Sequence, residues 1–208
     1  MTFLEALDFA SVFVFALSGA LVASRSQLDI VGFLFVAALT AVGGGTVRDL
    51  LLNREAIFWV ANPAILISAG IAAVLVFFTA HLLESRLKVL TWLDACALSI
   101  AVPAGVGVAL AHSPHPAIVL IMGVATGCFG GLMRDVVCNE VPLVLKQGEL
   151  YVTAAFAGAA AALIAIEAGL AGSKALVVCG GVTLILRAGS LALGWRLPVY
   201  RSRPPRGR

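Results

Sequence analysis

Seven mostly apolar stretches of about transmembrane length follow one another along this chain, and they constrain its fold more than any other feature. They run approximately from Leu4 to Ala23, Ile30 to Leu52, Pro63 to Leu82, Leu90 to Ala111, Pro116 to Val137, Leu150 to Ile166 and Lys174 to Gly194. A helix needs about 20 predominantly apolar residues to cross the hydrocarbon of a bilayer. The connections between the stretches are short and polar, as at Arg25 to Gln27, Arg54-Glu55, Glu84 to Arg86, Ser113 to Pro116 and Lys146 to Glu149, and leave no room for a soluble domain. Composition points the same way: 61% of the 208 residues are hydrophobic and 12% are charged. A soluble domain carries about 25% charge. Half of that is too little to cover a water-facing globule, and the same composition excludes disorder. The expected class is an all-α membrane protein with seven transmembrane helices.

The first stretch begins with Glu5 and Asp8 in place of a basic leader region, so it is expected to be a retained span. Orientation follows from the distribution of Lys and Arg, which accumulate in cytoplasmic loops. With seven spans and the C-terminus inside, nine basic residues fall on the cytoplasmic side (Arg25, Arg86, Lys88, Lys146, Arg196, Arg201, Arg203, Arg206, Arg208) and two, Arg54 and Lys174, outside. The prediction is N-out, C-in, with the basic tail close to anionic membrane lipid. The net charge of +3 comes from span ends and tail and offers no basic face for nucleic acid. Cys96, Cys128, Cys138 and Cys179 lie in apolar runs without CxxC spacing and read as small buried hydrophobes.

Sliding the chain on itself by 86 residues superposes Leu4 to Asn53 on Leu90 to Asn139 with 13 of 50 positions identical. The identities include the charges. Asp8 falls on Asp94, Thr40 on Thr126, Gly44-Gly45 on Gly130-Gly131, Arg48-Asp49 on Arg134-Asp135 and Asn53 on Asn139. Three spans per copy is odd, so the second copy must enter the membrane from the opposite side. The expected architecture is an inverted 3+3 repeat (1–86 and 87–170), a seventh helix (171–196) and a basic tail (197–208). Such duplications belong to transporters and channels, with the path near the midplane between the copies.

The matched segments run Thr40 to Asp49 and Thr126 to Asp135. Paired glycines weaken a helix by about 1 kcal/mol each relative to alanine. At Gly43, Gly44, Gly45, Gly130 and Gly131 they signify either a kink that turns carbonyls toward an aqueous path or close packing of small residues. Their coincidence with Arg-Asp in both copies favours the kink. Residues four apart share a helical face, so Thr40, Gly44 and Arg48 form one polar stripe, and Thr126, Gly130 and Arg134 the other. A buried arginine must face the bundle interior. Arg48 and Arg134 are expected to find partners on other spans, at Asp8 and Asp94, because adjacent helical residues such as Asp49 and Asp135 point about 100° away. These groups line a path or its gate, or they clamp the helices together. Hydroxyls of Ser11, Ser18, Ser99 and Thr46 are expected to bond the preceding turn. The chain has no HExxH, GxSxG or Walker sequence, so transport without catalysis is the class that remains.

The Gly-Gly-Gly-Thr-Val-Arg-Asp run ending at Asp49 and its Gly-Gly-Leu-Met-Arg-Asp echo ending at Asp135, each downstream of Leu-Asp, resemble the prokaryotic TRIC family. These are trimeric intracellular cation channels, some of whose bacterial relatives are labelled glycine transporters. The resemblance covers nearly the whole chain. It implies a homotrimer in the bacterial inner membrane, a pore in each protomer, passage of the monovalent cations K+ and Na+, no cofactor, and kinked second and fifth spans at Gly43 to Gly45 and Gly130 to Gly131. A small-amino-acid carrier, for example for glycine, is the alternative. Phe129 replaces the first glycine of the second copy, and Arg134 is the one basic residue in Met133 to Asp135, so the lipid regulation of animal members does not carry over.

Overall fold

In the computed structural model the first helix starts where the sequence supplies a cap. The Glu5 backbone N–H donates to the Thr2 hydroxyl at 3.2 Å, and the Thr2 N–H donates to the Glu5 carboxylate at 2.8 Å. This reciprocal box satisfies donors that a helix N-terminus leaves open. Helix α1 spans Phe3–Arg25. Asp29 caps α2, Ile30–Leu51, by accepting from the Gly32 N–H at 2.8 Å. A four-residue helix, α3 (Phe58–Ala61), precedes α4 (Ala64–Thr79). Ser85 caps α5, Arg86–His112. α6, Pro116–Val137, has proline at its first position, where no amide donor is needed. α7 covers Val152–Glu167, and α8, Gly172–Leu193, ends on left-handed Gly194. The structure describes residues 2–83, 85–113 and 115–200. The tail from Arg201 onward, and Glu84 and Pro114 of two expected connections, lie outside the described residues.

Among the described residues six segments are long and apolar enough to cross a membrane: α1, α2, α4 with its following turn, α5, α6 and α8. α7 lies at the sixth expected span but has 16 residues, about 24 Å of helix against a hydrocarbon core of about 30 Å. Phe35, Ile67, Phe78, Ile121, Phe156 and Ile185 are all more than half exposed, so the outer surface is apolar. Cys128 and Cys179 are buried as expected, but Cys138 is only half-buried and Cys96 is exposed on that surface, which corrects the expectation for those two residues.

The packing is duplicated. α1 lies against α2 and α4 as α5 lies against α6 and α7, and α2 meets α4 as α6 meets α7. The two halves are joined through α1 on α5 and α2 on α6. At the α2–α6 crossing, a Cβ on Gly44 would land on the Thr126 carbonyl oxygen, and one on Gly130 on the Thr40 carbonyl oxygen. Gly43 faces Met133 Sδ, Gly45 the Phe58 ring and Gly131 the Tyr151 hydroxyl. Both helices are α-helical without interruption through these glycines. No helix break occurs there. Gly44 and Gly130 serve close approach between backbones, because a side chain at either would meet a carbonyl that cannot move aside.

Candidate functional site

The conserved spacing of the two copies becomes two charged centres. Near the end of α2, Arg48 Nε donates to Asp49 Oδ1 at 2.7 Å and Arg48 Nη1 to Asp8 Oδ1 of α1 at 3.0 Å. Asp49 Oδ1 also accepts from Arg54 Nη1 at 3.2 Å, and its Oδ2 accepts from the Phe58 backbone N–H at 2.8 Å. The Arg48 guanidinium lies 5.3 Å from the centre of the Phe58 ring. Near the end of α6, Arg134 Nε donates to Asp135 Oδ1 at 2.7 Å and Nη1 to Asp94 Oδ1 of α5 at 2.8 Å and to Ser18 Oγ at 2.9 Å. Asp135 Oδ2 accepts from the Leu143 N–H at 2.9 Å, and the Tyr151 hydroxyl donates to Asp94 Oδ2.

Asp8 and Asp94 are thus partners of Arg48 and Arg134, as the spacing argument expects. The expectation that adjacent Arg and Asp do not pair is corrected. It considered the directions of Cβ atoms, whereas a guanidinium is a planar fork with five donors on a long stem. Its Nε edge turns back to the neighbouring carboxylate while Nη1 reaches the other helix. The hydroxyls of Ser11, Ser18, Ser99 and Thr46 donate to carbonyls three or four residues back, as expected. Thr40 and Thr126 do the same, to Val36 and Met122.

The two centres differ in access. Arg48 and Arg134 are both wholly buried, but the Asp8 side chain is 14% exposed whereas that of Asp94 is 0% exposed. Asp8 borders a cavity of about 360 Å3 lined with Glu5, Phe9, Arg54, Phe58, Ala61, Asn62 and Ile65. Sharing Asp8 and Phe58 with it is a void of about 10 Å3 bounded also by Ser11, Phe15, Thr40, Ala41, Gly44, Gly45, Ala101 and Thr126. Of the sequence-predicted residues, Asp8, Thr40, Thr126, Gly44 and Gly45 therefore line open space. Arg48, Asp49, Arg134, Asp94 and Asp135 belong to neither lining.

Sequence reasoning misses Phe58, Arg54, Tyr151 and Glu149 as contributors. Phe58 and Arg54 lie in a connection read as punctuation, and Tyr151 is a single aromatic at a span boundary. Arg187 Nη1, deep in α8, donates to Glu149 Oε2 at 2.8 Å, and its guanidinium lies 4.8 Å from the centre of the Tyr151 ring. A lone intramembrane arginine is itself a signal that an acidic partner lies nearby. Burial raises the Glu149 pKa, but hydrogen bonds from Lys146 and Arg187 together with their charges outweigh it and hold the carboxyl below its ordinary value.

The chain matches a protein family described as glycine transporter at residues 5–81 and again at residues 91–167. It is 38% identical over 199 residues to a UPF0126 membrane protein of Vibrio cholerae, covering 93% of this chain and 81% of that one. It is 34% identical over 201 residues to the UPF0126 inner membrane protein YadS of Escherichia coli, covering 93% and 94%. Among solved structures it superposes on the TRIC trimeric intracellular cation channel orthologue from Rhodobacter sphaeroides with a TM-score of 0.89 and 42% identity, over 93% of this chain and 100% of that one. The chain belongs to the prokaryotic TRIC family. It is a multi-pass integral membrane protein. The two family matches are separated by the same 86 positions that superpose Asp8 on Asp94 and Arg48 on Arg134, so the duplicated centre coincides with a duplicated family unit.

Proposed function

We propose that this TRIC-family chain is a cation channel whose path runs within each protomer, between two inverted three-helix repeats. The observation that carries the reading is a cavity bordered by Glu5 and Asp8 that leads toward a polar void between Thr40 and Thr126, the pair that the repeat makes equivalent. Acidic groups at a mouth raise the local concentration of cations. Asp8 Oδ1 is engaged by Arg48, and its Oδ2 makes no hydrogen bond to the described residues, which leaves it for a passing ion. Arg48 and Arg134 would repel cations, and Asp49, Asp135, Asp8 and Asp94 compensate them. In this reading α7 is the seventh span, the permeant ions are K+ and Na+, and the assembly is a homotrimer in membrane lipid of the inner membrane with the N-terminus out and the C-terminus in. The likeness to bacterial TRIC structures supports both path and trimer. A cysteine at Asn62, on the cavity wall, would then react with impermeant reagent from outside.

Recording from purified protein in planar bilayers tests the function. Unitary current steps, with a reversal potential that follows the cation gradient, are the expected result. Saturable glycine uptake without steps would overturn it in favour of a carrier. The second reading has its own observation: Arg54 and Asp8 place opposite charges on one cavity wall, as the two ends of a small zwitterion require.

A further inference from the structure

The cavity and the inner void share two lining residues, Asp8 and Phe58. Asp8 is a group a cation meets favourably, so the Phe58 ring is the apolar element between the two spaces. Three contacts hold it. Its backbone N–H is bound by Asp49 at 2.8 Å, and its face lies 5.3 Å from the Arg48 guanidinium carbon. Its edge fills the space left by Gly45, where a Cβ would come within 2.5 Å of Cε1. The residue opens the four-residue α3, which is no part of a long helix but is tied to α2 by Trp59 Nε1 donating to Thr46 Oγ1 at 2.9 Å. A shift of α3 therefore moves the ring without breaking a span.

The second copy treats the equivalent position differently. Gly131, the repeat mate of Gly45, faces the Tyr151 hydroxyl, which a Cβ there would approach to 3.3 Å. That hydroxyl donates to Asp94, the mate of Asp8. Each copy thus lays an aromatic side chain over its glycine and beside its first-helix carboxylate. Tyr151 is tied to that carboxylate, whereas Phe58 has no polar atom with which to bind Asp8.

We infer that Phe58 is the barrier between the outer cavity and the inner void, an apolar ring that keeps water and hydrated cations from the narrowest part of the path until α3 moves. A void of about 10 Å3 has room for a single water at most, and an apolar constriction at its mouth gates by dewetting. The inference rests on the cation-path reading for its permeant ion, but the barrier concerns access and is measurable without any current.

The test uses Ag+, a monovalent cation that bonds to a thiol sulfur as the thiol proton leaves to solvent. The full chain carries one thiol, Ala41→Cys, in the void, with Cys96, Cys128, Cys138 and Cys179 replaced by alanine. Silver protection of that thiol against later maleimide labelling in denaturant is timed with Phe58 present and with Phe58→Ala and Phe58→Leu, and currents are recorded in parallel. The expected result is protection faster by about tenfold or more in Phe58→Ala, equivalent to about 1.4 kcal/mol of barrier, with Phe58→Leu between it and the native residue. Equal rates in folded Phe58 and Phe58→Ala proteins would overturn the inference. Should Phe58→Ala fail to fold, an unchanged rate in Phe58→Leu overturns it equally. Faster silver access without unitary currents in any variant retains the barrier and removes the channel reading, so the two failures are distinguishable.

Discussion

Replacing Arg134 by glutamine should cost much more stability than the same change at its repeat mate Arg48. At the second centre, Arg134 and Asp94 have 0% side-chain exposure and Asp135 4%. Arg134→Gln leaves Asp94 with the Tyr151 hydroxyl and Asp135 with the Leu143 N–H, and no cation for either among their described hydrogen bonds. Breaking a buried pair by removing one partner costs about 3 to 5 kcal/mol, because it strands a charge. At the first centre Asp49 retains Arg54 and the Phe58 N–H, and Asp8 borders a cavity. There the loss is that of a charged hydrogen bond with a substitute at hand, about 1 to 3 kcal/mol. Thermal unfolding of both variants in one detergent measures the order, and bilayer recording of the folded fraction measures the path. Equal losses, or a larger loss at Arg48, would refute the argument from access. Normal current in whatever Arg48→Gln and Arg134→Gln protein survives would assign both arginines to a clamp and remove them from the path.

Gly44→Ala should destabilise by about 1 to 3 kcal/mol through overpacking against the Thr126 carbonyl. Gly181→Ala, with nothing within 4 Å, should be neutral or stabilising by up to about 1 kcal/mol, and unfolding midpoints of the two variants separate these outcomes. Tyr151→Phe keeps the ring beneath Arg187 but removes the donor to Asp94, and should cost about 1 to 3 kcal/mol; an unaltered midpoint would show that Asp94 does not need it. Because the Glu149 carboxyl has a folded pKa below its unfolded value of 4.5, its stabilisation is complete above that value and is lost as pH falls through the folded pKa. Glu149→Gln should therefore flatten the acid limb of a stability-against-pH curve, and a limb of unchanged steepness would place the acid sensitivity elsewhere.

The charged residues of the first-helix and second-helix segments are legible in the sequence because the duplication aligns them. Apolar composition alone does not place Asp8 over Asp94 or Arg48-Asp49 over Arg134-Asp135, and these six residues do meet in the structure. The spans are legible for a similar reason, since a run such as Ile30 to Leu52 has few ways to be something other than a long helix. The glycines were harder. A doubled glycine is compatible with a bend or with a close crossing, and what stands opposite Gly44, the carbonyl of Thr126 some 80 positions away, has no local trace. Phe58 and Tyr151 were invisible for another cause. Each comes from a connection whose path the hydrophobic pattern does not dictate, and they occupy related positions without being repeat mates, so superposing the copies does not pair them.

The difference between the two centres follows from the one helix that belongs to neither copy. α8 packs on α5 and α7. It brings Arg187 under the Tyr151 ring and onto Glu149, and Ser190 Oγ onto the Leu150 N–H at 3.0 Å, while the segment beyond it forms a backbone β-bridge between Arg196 and Glu149. At the first centre the aromatic is Phe58, stacked on Arg48 itself, and the position corresponding to Tyr151 holds Ile65 on the wall of an open cavity. Duplication by itself gives two equivalent carboxylates with equivalent access to water. The added helix removes that equivalence by fixing the loop that carries Tyr151 over Asp94. At the second centre Arg134 is held by Asp94, Asp135 and Ser18, with Tyr151 on the far oxygen of Asp94, and its Nη2 is buried without a hydrogen-bond partner among the described residues; at the first, Arg48 Nη2 is likewise unpartnered but Asp8 borders a cavity. The same charge motif is therefore closed over at Asp94 in one copy and bordered by a cavity at Asp8 in the other.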